Sequence, residues 1–135
     1  MPHYDLPSYT TPFGKGLYFT DCSSKAANNC YISKEEKIAI LLASEVALGE
    51  SAEMYYADPN ASKLPPGKSS VRSVGKYSPV LGRAEQMGEV KLAMGPLEPA
   101  EKVGTTFLFN EYVVYRVEQV KMRYLLRVRF VDTPK

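Results

Sequence analysis

Toward the C-terminal end the chain alternates, with Met122, Tyr124, Leu126, Val128 and Phe130 interleaved with Arg123, Leu125, Arg127 and Arg129. A period of two predicts a β-strand with one buried face and one basic, wetter face. Upstream, Glu111, Val113, Tyr115 and Val117 share one face of another strand by the same spacing, which sets Glu111 at its beginning, pointing inward. The apolar run from Ile38 to Leu48 has no clean period; ended by Gly49, it reads as a buried strand with room for a helical lead-in. Near the start, Gly14 and Gly16 punctuate the entry to a short strand from Leu17 to Thr20. Asp21, Ser23 and Ser24 stand as N-cap candidates, and Lys25 to Cys30 fit about two turns of helix. Residues 1–12 carry Pro2, Pro7 and Pro12 and are expected to run as an extended leader. Residues 58–106 are broken by Pro59, Pro65, Pro66, Pro79, Pro96 and Pro99, which predicts a long loop-rich region with room for a hairpin. An irregular stretch of that length inside a compact domain points to function.

Composition narrows the classes. A chain of 135 residues with 44% hydrophobic and 24% charged positions fits one globular domain, residues 1–135, with a real core. A net charge of +2 is too small a basic excess to argue for direct DNA binding, and the stripe Arg123, Arg127 and Arg129 reads first as a solvated sheet face. Two cysteines, Cys22 and Cys30, and one histidine, His3, lack metal-ligand spacing, so no metal site is expected. With no secretory leader in the sequence, both cysteines are expected as reduced thiols. No apolar run approaches the ~20 residues that span a bilayer, which predicts a soluble intracellular protein without membrane partners.

Five stretches carry the candidate chemistry. They are Phe13-Gly14-Lys15-Gly16-Leu17-Tyr18-Phe19, Ser24-Lys25-Ala26-Ala27-Asn28-Asn29-Cys30, Ser44-Glu45-Val46-Ala47-Leu48-Gly49, Phe109-Asn110-Glu111-Tyr112-Val113-Val114-Tyr115, and Gln119-Val120-Lys121-Met122-Arg123-Tyr124-Leu125-Leu126. In that order they resemble the catalytic domain of the poly(ADP-ribose) polymerases, closest to the DNA-dependent branch. The resemblance implies an antiparallel-rich α+β fold in which two packed sheets clasp NAD. It implies that NAD is a substrate rather than a resident cofactor, cleaved at the nicotinamide bond with transfer of ADP-ribose to protein acceptors. By resemblance Tyr18 packs against nicotinamide, Glu111 bonds the nicotinamide ribose, and Lys25 lies near the donor site. Glu111 implies polymer rather than single units, and a nuclear location follows from the resemblance alone.

The departures from the family pattern are specific. The family's His-Gly-Ser or His-Gly-Thr turn would precede the Phe13–Phe19 segment and is not in this sequence; His3, inside the leader, does not match it. The family's pocket serine matches Ala26, which has no hydroxyl, and its second stacking tyrosine matches Asn29, which has no ring. The domain is therefore expected to be N-terminally truncated, with residues 1–12 standing where a donor loop would be. Three readings follow: an ADP-ribosyltransferase, an impaired pseudoenzyme or interaction module, and a fragment of a longer enzyme. An open strand edge in such a domain is expected to recruit a complementing chain or to self-associate.

Overall fold

The computed structural model describes residues 11–80, 83–100 and 104–131; residues 1–10 of the expected leader lie outside them. The fold is strand-rich and mostly antiparallel. Strand β1 (Leu17–Phe19) leads into helix α1 (Ser23–Asn28), followed by β2 (Ile38–Val46), β3 (Ser51–Met54), β4 (Ser70–Ser73), β5 (Tyr77–Pro79), β6 (Glu85–Met87), β7 (Val90–Leu92), β8 (Leu97–Pro99), β9 (Glu111–Val114) and β10 (Val120–Arg129). A single 3-10 turn, Val117–Gln119, separates β9 from β10.

A four-stranded sheet in the order β1-β9-β4-β3 organises the molecule. Strand β9 is antiparallel to both β1 and β4, whereas β3 and β4 run parallel. In register, Tyr18, Val113, Val71 and Ala52 form one rung across the sheet, and Phe19, Tyr112, Arg72 and Glu53 form the next. Successive rungs face opposite sides. The first rung faces a core in which Phe13, Ala61, Val71 and Val113 are buried, with Tyr18, Met54, Leu64, Phe107 and Tyr115 packed against them. Phe13 meets Phe107 with ring centroids 5.3 Å apart.

The region 58–106 remains loop-rich, yet it contains β4, which is central to the sheet, together with β5 to β8, including the β6–β7 hairpin. The outer pairings are two-stranded: β2 with β10, β5 with β8 and β6 with β7. Instead of one further packed sheet, the described residues thus hold three ribbons.

The β2–β10 ribbon corrects two expectations. Its strands pair over almost their whole length, but the register skips between Met122 and Tyr124, so Arg123 is an extra residue. A bulge of this kind turns every later side chain to the other face. Met122 and Leu125 therefore share a face with Ile40 and Leu42, while Tyr124, Leu126 and Val128 lie opposite. The apolar and basic sets are mixed, and neither face is a buried one: Leu125 is 74% exposed and Met122 70%. The run from Ile38 is likewise half open, with Ile40 and Leu42 exposed and Ala39 buried. Arg123 turns sideways to bond Glu45 through Nε and Nη2 at 2.9 and 2.7 Å.

Two smaller corrections concern boundaries. Helix α1 runs over Ser23–Asn28, two residues earlier at each end than the expected Lys25 to Cys30, with Cys22 in the N-cap position and no side-chain cap bond. Asp21 is not the cap because its carboxylate is drawn into the sheet, as described below. Strand β9 ends at Val114, so Val117 falls in the 3-10 turn, 71% exposed, and not on the Glu111 face.

Candidate active site

Three of the residues singled out from sequence converge. Glu111 opens β9, and the alternation of the strand puts it on the same side of the sheet as Val113 and its rung partner Tyr18. From the first turn of α1, Lys25 reaches across, its Nζ lying 3.0 Å from Glu111 Oε1. Both side chains are mostly shielded, 20% and 16% exposed. Among the described residues Glu111 Oε2 has no hydrogen-bond or ion-pair partner, so Lys25 tethers one carboxylate oxygen and leaves the other unpaired.

Tyr18 is held from the glycine-flanked turn that precedes it. Its hydroxyl donates to the Gly14 carbonyl at 2.7 Å and accepts the Phe13 N–H at 3.1 Å. Gly14 has φ of +74°, which favours glycine, and a Cβ there would overlap the Pro59 carbonyl oxygen. Burial pushes the Tyr18 phenol above its ordinary pKa, the Phe13 N–H opposes this, and the negative charge of Glu111 adds to the rise.

The remaining candidates sit on or beside α1. Ala26 bonds only through its backbone: its N–H donates to the Cys22 carbonyl at 3.0 Å, and its carbonyl accepts the Asn29 N–H and the Cys30 thiol, both at 3.2 Å. Asn29 is the exposed C-terminal cap of the helix, four residues beyond Lys25. Tyr31 lies past the helix and is 82% exposed, so it does not substitute for a ring at position 29. Cys22 and Cys30 are free thiols. No group of three or more potential metal ligands occurs among the described residues, and no helix there is long and apolar enough to cross a membrane.

Sequence reasoning missed the frame that aims Glu111. The Glu111 N–H donates to the buried Ser73 Oγ at 2.8 Å. On either side of Glu111, Asn110 Nδ2 and the Tyr112 hydroxyl both donate to Asp21 Oδ2, at 3.0 and 2.8 Å. Asn110, 2% exposed, accepts the Gly75 N–H at 2.9 Å through its side chain and the Thr20 hydroxyl at 2.8 Å through its backbone carbonyl. One carboxylate thus grips both neighbours of Glu111, while Ser73 fixes Glu111 itself. The adjacency of Asn110 to Glu111 was the only local signal for this frame; Ser73 and Gly75 are distant in sequence.

Tyr112 titrates abnormally because of this frame. Burial, with the adjacent Asp21 charge and hydrogen bond, pushes its phenol up to about 12, against a weaker opposing pull from Arg72. Burial likewise pushes Tyr115 up to about 12. A phenol whose folded pKa lies above its unfolded value supports the fold below the unfolded pKa, and that support fades as pH rises through the folded value. The unfolding midpoint is therefore expected to fall between pH 10 and pH 12. Tyr112→Phe should flatten that dependence in a denaturant series across the same range.

Comparison with known proteins identifies the family. Residues 1–130 match the family described as the poly(ADP-ribose) polymerase catalytic domain. Poly [ADP-ribose] polymerase 2 of Arabidopsis thaliana is 47% identical over 120 residues, which are 87% of this chain and 19% of that protein. The human protein of the same name is 42% identical over 121 residues, again 87% of this chain and 21% of that one. Poly [ADP-ribose] polymerase 1 of Danio rerio is 40% identical over 118 residues, 87% of this chain and 12% of that protein. The chain spans about a fifth or less of the length of these relatives. A family match over nearly the whole sequence, together with these identities, establishes that the chain belongs to the poly(ADP-ribose) polymerase catalytic-domain family.

Proposed function

We propose that this chain carries the ribose-facing half of an NAD-dependent ADP-ribosyltransferase site, with NAD as substrate and protein side chains as acceptors. The observation that supports it most is the Glu111 carboxylate, tethered at one oxygen by Lys25 at 3.0 Å and unpaired at the other among the described residues. Departure of nicotinamide leaves positive charge on the ribose. A carboxylate fixed in a shielded, low-dielectric setting stabilises that charge far better than one in water. The same Oε2 accepts a ribose hydroxyl and so orients the sugar, and after nicotinamide leaves it can polarise an acceptor hydroxyl. Tyr18 supplies an aromatic wall for nicotinamide, its hydroxyl already committed to Gly14 and Phe13. Lys25 is a positioning residue, because it acts on substrate through Glu111. A nuclear setting and a polymeric product accompany this reading by family analogy.

A second reading, an impaired binding module, is favoured by Ala26 and Asn29, which offer neither a hydroxyl nor a ring to the nicotinamide amide. Isothermal titration with NAD and with a nicotinamide-mimicking inhibitor separates the two. The transferase reading expects saturable NAD binding with the mimic at least about tenfold weaker, as expected for a missing hydrogen bond and a missing stacking ring. Absence of NAD binding by the folded chain would sink the transferase reading.

A further inference from the structure

A concave site lies at the opposite end of β9 from Glu111. Strand β9 runs from Glu111 to Val114 and Tyr115 follows it, so at ~3.3 Å per residue the two ends are about 13 Å apart. There a cleft of about 510 Å³ opens between the end of β2, the loop before β4 and the turn after β9. The cleft is large enough for a small organic ligand and far larger than a lone phosphate needs.

Its walls are tied together. Gln119 Nε2 donates to the Ala47 carbonyl and to the Ser69 carbonyl, both at 2.9 Å, which joins the segment after β2 to the segment before β4. The Gln119 carbonyl also accepts the Ala47 N–H at 2.8 Å. With both amide hydrogens of its side chain used, Gln119 is fixed in place and the cleft is preformed. The interior offers Leu64 and the ring of Tyr115, both also packed against the core, and the Tyr115 hydroxyl is turned away to the Phe13 carbonyl at 2.9 Å. The charged groups in the lining are Lys68 and Arg116, and no carboxylate is among the lining residues. Lys68 has no ion-pair partner among the described residues. Arg116 has only a weak one, Glu118 at 3.6 Å, with both side chains exposed and screened.

We propose that this cleft binds a nucleoside diphosphate, with the base or sugar against Tyr115 and Leu64 and the two phosphates between Lys68 and Arg116. An apolar, aromatic floor with two cations at its rim suits a ligand that is flat at one end and doubly anionic at the other. A free nucleotide and one unit of an ADP-ribose polymer present the same chemistry. The site does not depend on turnover at Glu111.

The test is titration of the folded chain with ADP, followed by amide NMR shifts and calorimetry. Shifts should cluster on Lys68, Ser69, Arg116 and Gln119, and inorganic phosphate should bind at least about tenfold more weakly than ADP. Lys68→Ala with Arg116→Ala removes only exposed side chains. The pair should weaken ADP about tenfold or more, while Glu111→Gln leaves ADP affinity unchanged. An ADP-ribose oligomer that binds more tightly than ADP identifies the polymer as the source; equal affinity identifies the free nucleotide. Shifts confined to the Lys25–Glu111 region, phosphate binding equal to ADP, or an affinity untouched by the double substitution would each overturn the proposal. Loss of NAD turnover in Glu111→Gln, with ADP binding intact, separates the fate of this site from that of the transferase reading.

Discussion

Gly75→Ala should lower stability by about 3–5 kcal/mol, read as a shift of the denaturant midpoint, because it combines overpacking with a broken buried hydrogen bond. The cause is contact rather than backbone conformation. A Cβ at Gly75 would overlap the backbone of Phe109 and come within 2.7 Å of the Asn110 nitrogen. Backbone atoms cannot rotate out of the way as a flexible side chain can. Moving the 109–110 segment aside would also break the bond from the Gly75 N–H to Asn110 Oδ1. Asn110 would then lose its hold beside Asp21, whose Oδ1 is already buried without a partner. Because Asn110 directly precedes Glu111, the disturbance reaches the carboxylate as well, and Gly75→Ala should lose NAD turnover even under conditions where it remains folded. Gly67→Ala is the control, since nothing lies within 4 Å of a Cβ there and only its φ of +78° is penalised. It should cost about 1–2 kcal/mol and leave turnover alone.

Glu111→Gln should reduce NAD turnover about 10²- to 10³-fold while NAD affinity changes little. Glutamine keeps the length of the side chain and the backbone bond to Ser73 Oγ, so the sheet has no reason to move. What disappears is the negative charge that the proposed function sets against the ribose. That charge matters far more in the transition state than in the ground state, so the loss belongs to the chemical step. Replacing Lys25 by methionine should act in the same direction but less, about tenfold, because the carboxylate survives and only its tether is lost. A Glu111→Gln protein with unaltered turnover would show that some other group carries the reaction.

The elements that carry the candidate residues were legible because their signals are local, whereas the choice of Glu111, Tyr18 and Lys25 among them came from the family resemblance. Glu111 heads an alternating strand, Tyr18 follows a glycine-flanked turn and Lys25 sits in a short helix, and the fold brings all three to one place. The frame around them was not legible. Asp21 has a typical N-cap sequence setting, yet it bonds Asn110 and Tyr112 on a strand some ninety residues away, a pairing that no local pattern carries. Ser73 and Gly75 lie in a region that proline and glycine mark as loop, and it is the pairing of β4 with both β3 and the distant β9 that brings that segment into the central sheet. The ribbon failed for a different reason. Its alternation is real, but the extra residue at Arg123 reverses the faces midway, and a period-two reading has no means of seeing one inserted residue. Phe13, by contrast, carries no local mark of burial beside the glycine-flanked turn, yet it is fully buried at the centre of the core.

The most direct measurement is release of nicotinamide from NAD by the folded chain, followed chromatographically together with ADP-ribose bound to protein. The account predicts nicotinamide and protein-bound ADP-ribose appearing in step, and both falling by two orders of magnitude or more in Glu111→Gln. A folded chain that binds NAD but releases no nicotinamide, or releases it equally well without the Glu111 carboxylate, would contradict it.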